Sequence, residues 1–272
     1  MKGYKALSKD MKAIFGDGMQ YELDKWYKIE GEIIPCKKGY HFFDNIRDIF
    51  ILFCCCNYDI YEIEAKGKII KVEDDDYQGK FVCNEIKLTR RLTQDEIKKY
   101  IEDNLDILVN DKDYDVKCKV ARQGYGLDRL INDENYVVRC EVATQGYGLD
   151  ILVNDECWVV RREVARQGYR LDILVNDENY TVRREVARQG YRLDILVNDK
   201  EYEVRCEVAN QGYGLDILVS DEEYKVRYEV ARQGYALDKL INDKNYDVRY
   251  VALETLVKQN EELLGVKLIR ED

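Results

Sequence analysis

Arginine is the residue type whose spacing in this chain most invites a chemical reading. Two adjacent copies of a 22-residue repeat carry it at three positions, Arg162, Arg166 and Arg170 in one and Arg184, Arg188 and Arg192 in the next. In other copies the first position holds Cys118, Cys140, Cys206, Tyr228 or Tyr250, and the third holds Gly126, Gly148, Gly214 or Ala236. A cluster of guanidinium groups suits phosphate or carboxylate recognition, because each offers a rigid planar fork of donors. The competing reading pairs these six arginines with the chain's own carboxylates, Glu163 and Glu185 included. On either reading they are the candidate partner-binding residues.

A second arginine series, Arg139, Arg161, Arg183, Arg205, Arg227 and Arg249, follows the central valine of each copy. Each can reach the recurrent aspartate of its own or the next copy, so this series reads as a ladder that fixes stacking register. His41 is the one histidine in the chain. It could serve as a base or ligand, but no nucleophile, carboxylate partner or second histidine lies near it in sequence. A ring packed at a strand end is the simpler reading. Of nine cysteines none forms a CxxC pair, and Cys54, Cys55 and Cys56 are consecutive. Adjacent thiols face different sides of any helix or strand, so the three read as apolar packing and not as one metal site. With no P-loop, dinucleotide fingerprint, triad or metal spacing, no catalytic, cofactor or metal residue is assigned.

The elements that must position the arginines follow from the repeat itself. The stretch Val120–Glu141 begins again at Val142, Val164, Val186, Val208 and Val230. A fixed period of this length is the mark of a stacked helical solenoid. Within one copy, Asp133 is expected to cap a long helix whose apolar face holds Tyr136, Val138, Val142 and Ala143. Gly124 closes the preceding copy of that helix in a left-handed conformation. Leu127, Leu130 and Ile131 form a second helix of a turn or two, partly 3₁₀. Neither helix can bury its apolar face alone, and stacking supplies the neighbours.

The first hundred residues have another texture. Short alternating runs at Trp26–Ile29, Tyr61–Ala65 and Phe81–Ile86 read as strands. Asp44 is expected to cap a mostly buried helix from Asn45 to about Phe53. Thr93 and Glu96 form a capping-box spacing that opens a linking helix. The expected organisation is a small α+β domain over 1–92, a linking helix over 93–103, seven repeats over 104–250, and a capping helix and tail over 251–272.

Charge is divided unevenly. The chain carries a formal net charge of -11. Residues 1–100 hold 18 basic and 18 acidic side chains, and residues 101–272 hold 25 and 36. All the excess negative charge therefore lies on the repeats, which favours a cationic partner over DNA or an anionic membrane. The start, MKGYKALSKDMK, has no apolar core of the kind a secretory signal needs. The longest apolar run, Ile49–Cys56, is far below the roughly 20 residues that span a bilayer. With the unpaired cysteines this predicts a cytoplasmic protein.

Two resemblances bear on these expectations. MKGYKA, CKKGYHFFDNIRDIF and IYEIEAKGKIIKVEDD…FVCNEIKLTRRLT, spanning about residues 1–98, resemble an uncharacterised domain common in bacteriophage and prophage proteins. That domain shows GFHFC where this chain has Gly39-Tyr40-His41-Phe42-Phe43, so a cysteine-dependent role of the motif is not carried over. The D-x-x-Y-x-VR-x-x-VA…LD-x-L pattern over about residues 104–252 resembles the leucine-rich variant repeat, a relative of HEAT repeats. It departs from that family in having Gln-Gly-Tyr-Gly at a turn where the family has proline. The resemblances imply an α+β domain followed by an all-α solenoid of HEAT-like repeats, whose relatives bind proteins and, in some members, nucleic acid.

Three functions stay open on the sequence. The first is an acidic, phage-encoded repeat scaffold that binds, and inhibits, a host defence protein. The second is nucleic-acid or phosphate binding through the central arginines. The third is a nucleotide-related activity of the N-terminal domain.

Overall fold

Strand β1 (Lys2–Ser8) lies between β3 (Tyr40–Phe43) and β4 (Tyr58–Lys71), antiparallel to both. β5 (Lys80–Arg91) pairs with β3, with β4 and with the short β2 (Trp26–Lys28). Pairing of β5 with both β3 and β4 closes β3, β1, β4 and β5 into a small barrel-like ring, with β2 attached at the outside. These strands belong to a computed structural model that describes residues 1–14, 18–52, 58–73 and 79–264, the backbone alone for 50–52 and 261–264. Cys54, Cys55 and Cys56 lie outside the described residues. The chain divides into two compact units, Met1–Leu130 and Ile131–Asp272.

In the first unit, alternation turns Leu7, Tyr40, Phe42, Tyr61, Ile63, Cys83, Ile86 and Leu88 into one buried cluster. The three predicted runs are all strands. β4 is much longer than its predicted core and bends where its register with β5 slips between Lys66 and Ile69. Gly67 sits in that bulge with φ +71°, against the Asn84 side chain. Asn84 Oδ1 accepts from Lys68 N at 2.8 Å, which fixes the bend.

Helix α1 (Ile46–Leu52) is capped by Asn45 and not by the expected Asp44. Asn45 Oδ1 accepts from Asp48 N at 2.9 Å, while Asp44 Oδ1 is occupied by the Asn45 amide at 2.8 Å. Asp48 is buried and accepts from Gly79 N at 2.7 Å. Helix α2 (Gln94–Asp103) opens with the predicted capping box: Thr93 Oγ1 accepts from Glu96 N, and Glu96 Oε2 accepts from Thr93 N. Arg90, together with that cap, pulls the Glu96 carboxyl down to about 2. The single-turn α3 (Leu105–Leu108), α4 (Tyr114–Arg122) and the single-turn α5 (Leu127–Leu130) complete the unit. Arg47 on α1 reaches Asp111, in the turn after α3, through Nε at 3.2 Å and Nη2 at 2.5 Å.

The second unit alternates nine-residue and four-residue helices. The long ones are α6 (Tyr136–Thr144), α8 (Trp158–Arg166), α10 (Tyr180–Arg188), α12 (Tyr202–Asn210) and α14 (Tyr224–Arg232). Between them lie α7 (Leu149–Leu152), α9 (Leu171–Leu174), α11 (Leu193–Leu196), α13 (Leu215–Leu218) and α15 (Leu237–Leu240). The array ends in α16 (Tyr246–Leu264), longer than any other helix as its unbroken pattern predicts. Each long helix packs on the next in a solenoid-like arrangement. Val138, Val142 and Ala143 and their counterparts in each of these long helices are fully buried, as is the second leucine of each short one, and Val153, Val175, Val197 and Val219 after it are nearly so. Burying a leucine or valine contributes about 1.5–3 kcal/mol, so this repeated core carries the stack.

Two expectations about the repeat need correction. The helix N-cap is Asn135, two residues beyond Asp133, and it accepts from Val137 N at 2.9 Å. Asp133 instead accepts from Asn135 N and shapes the turn before the helix. Tyr136 is not a core residue, being 44% exposed. It shares a stripe with Cys140 and Thr144 at four-residue spacing, opposite the Val138–Val142 face. The short helices are single turns in which one carbonyl serves two donors, Ile151 N and Leu152 N both bonding Gly148 O at 3.0 Å.

The residue before each short helix in this unit is left-handed. Glycine fills that place at Gly148 and Gly214, but Arg170, Arg192 and Ala236 adopt it with φ of 47–49°. A side chain there costs roughly 1–2 kcal/mol; glycine gives back about half of that through unfolded-state entropy. Arg170→Gly is therefore expected to raise the unfolding free energy by roughly 1 kcal/mol in urea titration, and a loss of stability would contradict this account.

Candidate functional site

The shared arginines form a ladder. Arg183 donates from Nε and Nη2 to the two oxygens of Asp199 at 2.6 and 2.8 Å, one copy further along. Its Nη1 donates to the carbonyls of Asp177 and Glu178, at 2.7 and 3.1 Å, in its own copy. Arg139, Arg161, Arg205 and Arg227 repeat this geometry with Asp155, Asp177, Asp221 and Asp243. Both partners are almost wholly buried, Arg183 at 8% and Asp199 at 7% side-chain exposure. The bidentate carboxylate raises each guanidinium's proton affinity. Arg249 keeps the carbonyl contacts, to Asp243 and Lys244, but the sequence holds no following aspartate of this series. These residues are scaffold.

Four of the six central arginines lie on the other side of the same helices. Arg162 and Arg166 stand four residues apart on α8, and Arg184 and Arg188 stand likewise on its neighbour α10. Arg170 and Arg192 occupy the left-handed turns that follow. Most of their charge is met by nearby carboxylates. Arg188 bonds Glu185 at 2.9 Å and Glu207 of the next copy at 3.1 Å. Arg166 lies 3.7 Å from Glu163, while Arg170 and Arg192 fork onto Asp172 and Asp194 at 3.1 and 3.0 Å. Arg162 lies on the Trp158 ring, 5.5 Å from its centroid. The half-buried Arg184 keeps an Nε without a hydrogen-bond partner. A glutamate row (Glu163, Glu185, Glu207, Glu229) thus runs along the base of this face, 7–17% exposed. Burial pushes the Glu229 carboxyl up.

The same face carries aromatic side chains that the sequence pattern assigned to the core. Tyr136, Trp158 and Tyr246 at the helix starts are 44%, 37% and 67% exposed, and Tyr250 further along α16 is 59% exposed. The column that supplies Arg162 and Arg184 also supplies Tyr228 and Tyr250, and this substitution was the signal in the sequence. Residues 1–100 match the family model described as Domain of unknown function (DUF7666). The repeats follow that domain. The comparison with curated proteins returns no match to the chain.

Within the N-terminal unit, His41 lies in β3 and its Nε2 accepts from Cys36 N at 2.9 Å. Burial, with Lys5 and Lys80 nearby, lowers its pKa to about 4. The Lys5 ammonium donates to His41 O at 2.7 Å and lies 5.5 Å from the Tyr21 ring, and burial lowers it to about 8. The adjoining Cys83 thiol is pushed up to about 11 by burial. A groove of about 370 Å³ between β1, β4 and β5 is lined by Lys2, Tyr4, Glu62, Glu64 and Arg90 among others. Arg90 is held there by Glu62 and Glu96 at 2.7 and 2.8 Å.

The His41 geometry carries a pH prediction. An unfolded histidine takes a proton near pH 6.5, the folded one only near 4. The unfolded state binds more protons between these values, so stability falls as pH drops from 6.5 towards 4. His41→Gln retains a neutral acceptor and is expected to flatten this limb of a melting-temperature profile; an unchanged limb would assign it to other groups. Among the described residues no helix is long and apolar enough to cross a membrane.

Proposed function

We propose that this protein is a repeat-scaffold interaction protein whose outward helix face binds a protein partner with a cationic surface. The observation that carries this reading is the row of aromatic rings, exposed at Tyr136, Trp158 and Tyr246 and partly exposed at Tyr180, Tyr202 and Tyr224, above the nearly buried glutamates. Aromatic side chains left open to solvent at constant register are the residue types enriched at interface centres. Rings beside carboxylates attract guanidinium and ammonium groups by two routes, quadrupole and charge. The row already takes the chain's own cations. Arg162 lies on Trp158, Lys225 on Tyr202 at 4.8 Å, and Arg249 on Tyr246 at 5.8 Å.

The phage-domain resemblance of the first 98 residues extends the proposal to origin and role. On this view the chain is encoded by a phage or prophage, acts in the bacterial cytoplasm and blocks a host defence protein. The nucleic-acid reading is less well supported, because the central arginines face Glu163, Glu185, Glu207, Asp172 and Asp194 at short range. An enzymatic N-terminal domain has only the groove and the perturbed Lys5 in its favour.

Affinity capture from bacterial lysate tests the proposal when full-length chain is compared with a Trp158→Ser, Tyr180→Ser, Tyr202→Ser variant. Basic proteins retained by the first and lost from the second, and released by salt, are expected. Retention unchanged by the three substitutions would overturn the aromatic-face reading. A mobility shift of DNA or RNA at low salt, abolished by Arg166→Ala and Arg188→Ala, would move the function to the arginines.

A further inference from the structure

The end of the array differs from its centre in one groove. Between α14 and α16 a space of about 480 Å³ is lined by Tyr224, Tyr228 and Tyr250, with Glu229, Asp247 and Lys225, and by Cys206 from α12. Tyr228 and Tyr250 occupy the column that holds arginine in α8 and α10. In α8 the arginine of that column lies on the tyrosine-equivalent ring of its own helix, as Arg162 on Trp158 shows. In α14 and α16 the ring positions are kept, as Tyr224 and Tyr246, but the column's guanidinium is replaced by a second ring. Tyr246 and Tyr250 stack with centroids 6.3 Å apart. The groove therefore has a ring, Tyr228 or Tyr250, where α8 has the arginine that lies on Trp158, and a carboxylate, Asp247, where α8 and α10 have Val159 and Thr181.

Two cations of the chain adjoin the groove, Lys225 in its lining and Arg232 beside Glu229, and each already has a partner. Lys225 Nζ bonds Tyr202 Oη at 2.9 Å and lies over that ring, towards α12. Asp247 is exposed on the first turn of α16, and Glu229 sits deeper, 17% exposed, beside Arg232 at 3.2 Å. Cys206 adds apolar surface and no reactivity, since burial holds its thiol up to about 12.

We infer that the groove between α14 and α16 binds an arginine side chain of a partner protein, its guanidinium laid against Tyr228 and Tyr250 and its edge met by Asp247. Arginine is favoured over lysine because a planar, weakly hydrated guanidinium stacks on aromatic faces and forks onto a carboxylate, whereas an ammonium does neither. The inference rests on the cationic-partner reading above and narrows it to one subsite.

A capped tri-arginine peptide tests it against the full chain, with capped tri-lysine and tri-citrulline peptides as controls, read by calorimetry and by tyrosine ring resonances. Tri-arginine is expected to bind at least tenfold more tightly than either control. Tyr228→Ala, Tyr250→Ala and Asp247→Asn are each expected to weaken it about tenfold, whereas Tyr228→Phe and Tyr250→Phe retain it. Because Tyr250 is 59% exposed, its truncation leaves the stack folded, and the circular dichroism spectrum verifies this. Equal binding of arginine and lysine peptides, or binding untouched by the alanine variants, would overturn the subsite. If the Trp158, Tyr180 and Tyr202 variant removes lysate partners while the groove variants change nothing, the subsite falls and the wider reading stands. Loss of neither leaves both refuted.

Discussion

Arg183→Ala is expected to lower the unfolding free energy by about 3–5 kcal/mol, the largest effect of any single substitution outside the apolar core. The substitution leaves the Asp199 carboxylate 7% exposed with two of its hydrogen bonds gone. It also strips two carbonyls, of Asp177 and Glu178, of their donor. An unpaired buried charge is what makes such a loss severe, since the pair itself only roughly balances its own desolvation. The double variant Arg183→Met, Asp199→Leu should therefore recover most of the loss. Arg170→Lys, at an exposed pair, should change stability by less than about 1 kcal/mol. Urea unfolding followed by circular dichroism distinguishes the three; a single-variant loss under about 1 kcal/mol would mean that the ladder is ornamental to stability. The effect has a pH signature. Asp243 is held below the usual carboxylate range, first by its bond to Arg227. A depressed carboxyl contributes stability that is complete above its unfolded pKa, near 4, and is lost as pH falls through the lower folded value.

Phe42→Ala is expected to cost about 3–5 kcal/mol in the N-terminal unit. Phe42 is fully buried in β3 and stacks on Phe81 with centroids 5.6 Å apart. Gly3 on β1 faces the same ring, and a side chain there would meet Phe42 Cδ2 at 2.7 Å. No neighbouring group is placed to refill the space, because the ring joins strands that are fixed by pairing on both sides. Trp26, on β2, reports this unit by fluorescence once Trp158 is replaced by phenylalanine. A midpoint shift of less than about 1 kcal/mol would place Phe42 in a site that collapses around the cavity.

How much of this was legible in the sequence varies with the physics involved. The 22-residue period, the buried valines and the left-handed Gly124 follow from spacing alone, and each is where it was expected. The ladder was legible as a set of partners but not in its direction. Its carboxylate oxygens are used by the preceding copy's guanidinium and by an amide two residues on. That is why the cap passes to the residue two further on, as from Asp177 to Asn179. Tyr136 was misplaced because a one-residue choice of helix face decides burial, and an aromatic side chain fits either side. The closure of β5 onto three partners was not legible, since strand order depends on contacts between residues far apart in sequence. For the site, the six arginines were found by comparing copies, with Glu163 and Glu185 legible as partners on the same helices, whereas Asp172 and Asp194 in the short helices and Glu207 of the next copy were not. The tyrosines of that column in the last two copies, Tyr228 and Tyr250, were visible as substitutions without a stated role.

The ladder always runs one way: each arginine from Arg139 to Arg227 holds the aspartate of the copy ahead and the carbonyls of its own. A segment such as Val164–Glu185 can therefore be removed whole, and Arg161 then meets Asp199 as Arg183 did. Duplication works equally well, because every joint is the same joint. This array can change length by unequal recombination between near-identical copies without passing through an unfolded intermediate form, while the divergent tyrosine end is carried along intact. A family of such chains would differ first in reach, and only later in what the last groove grips.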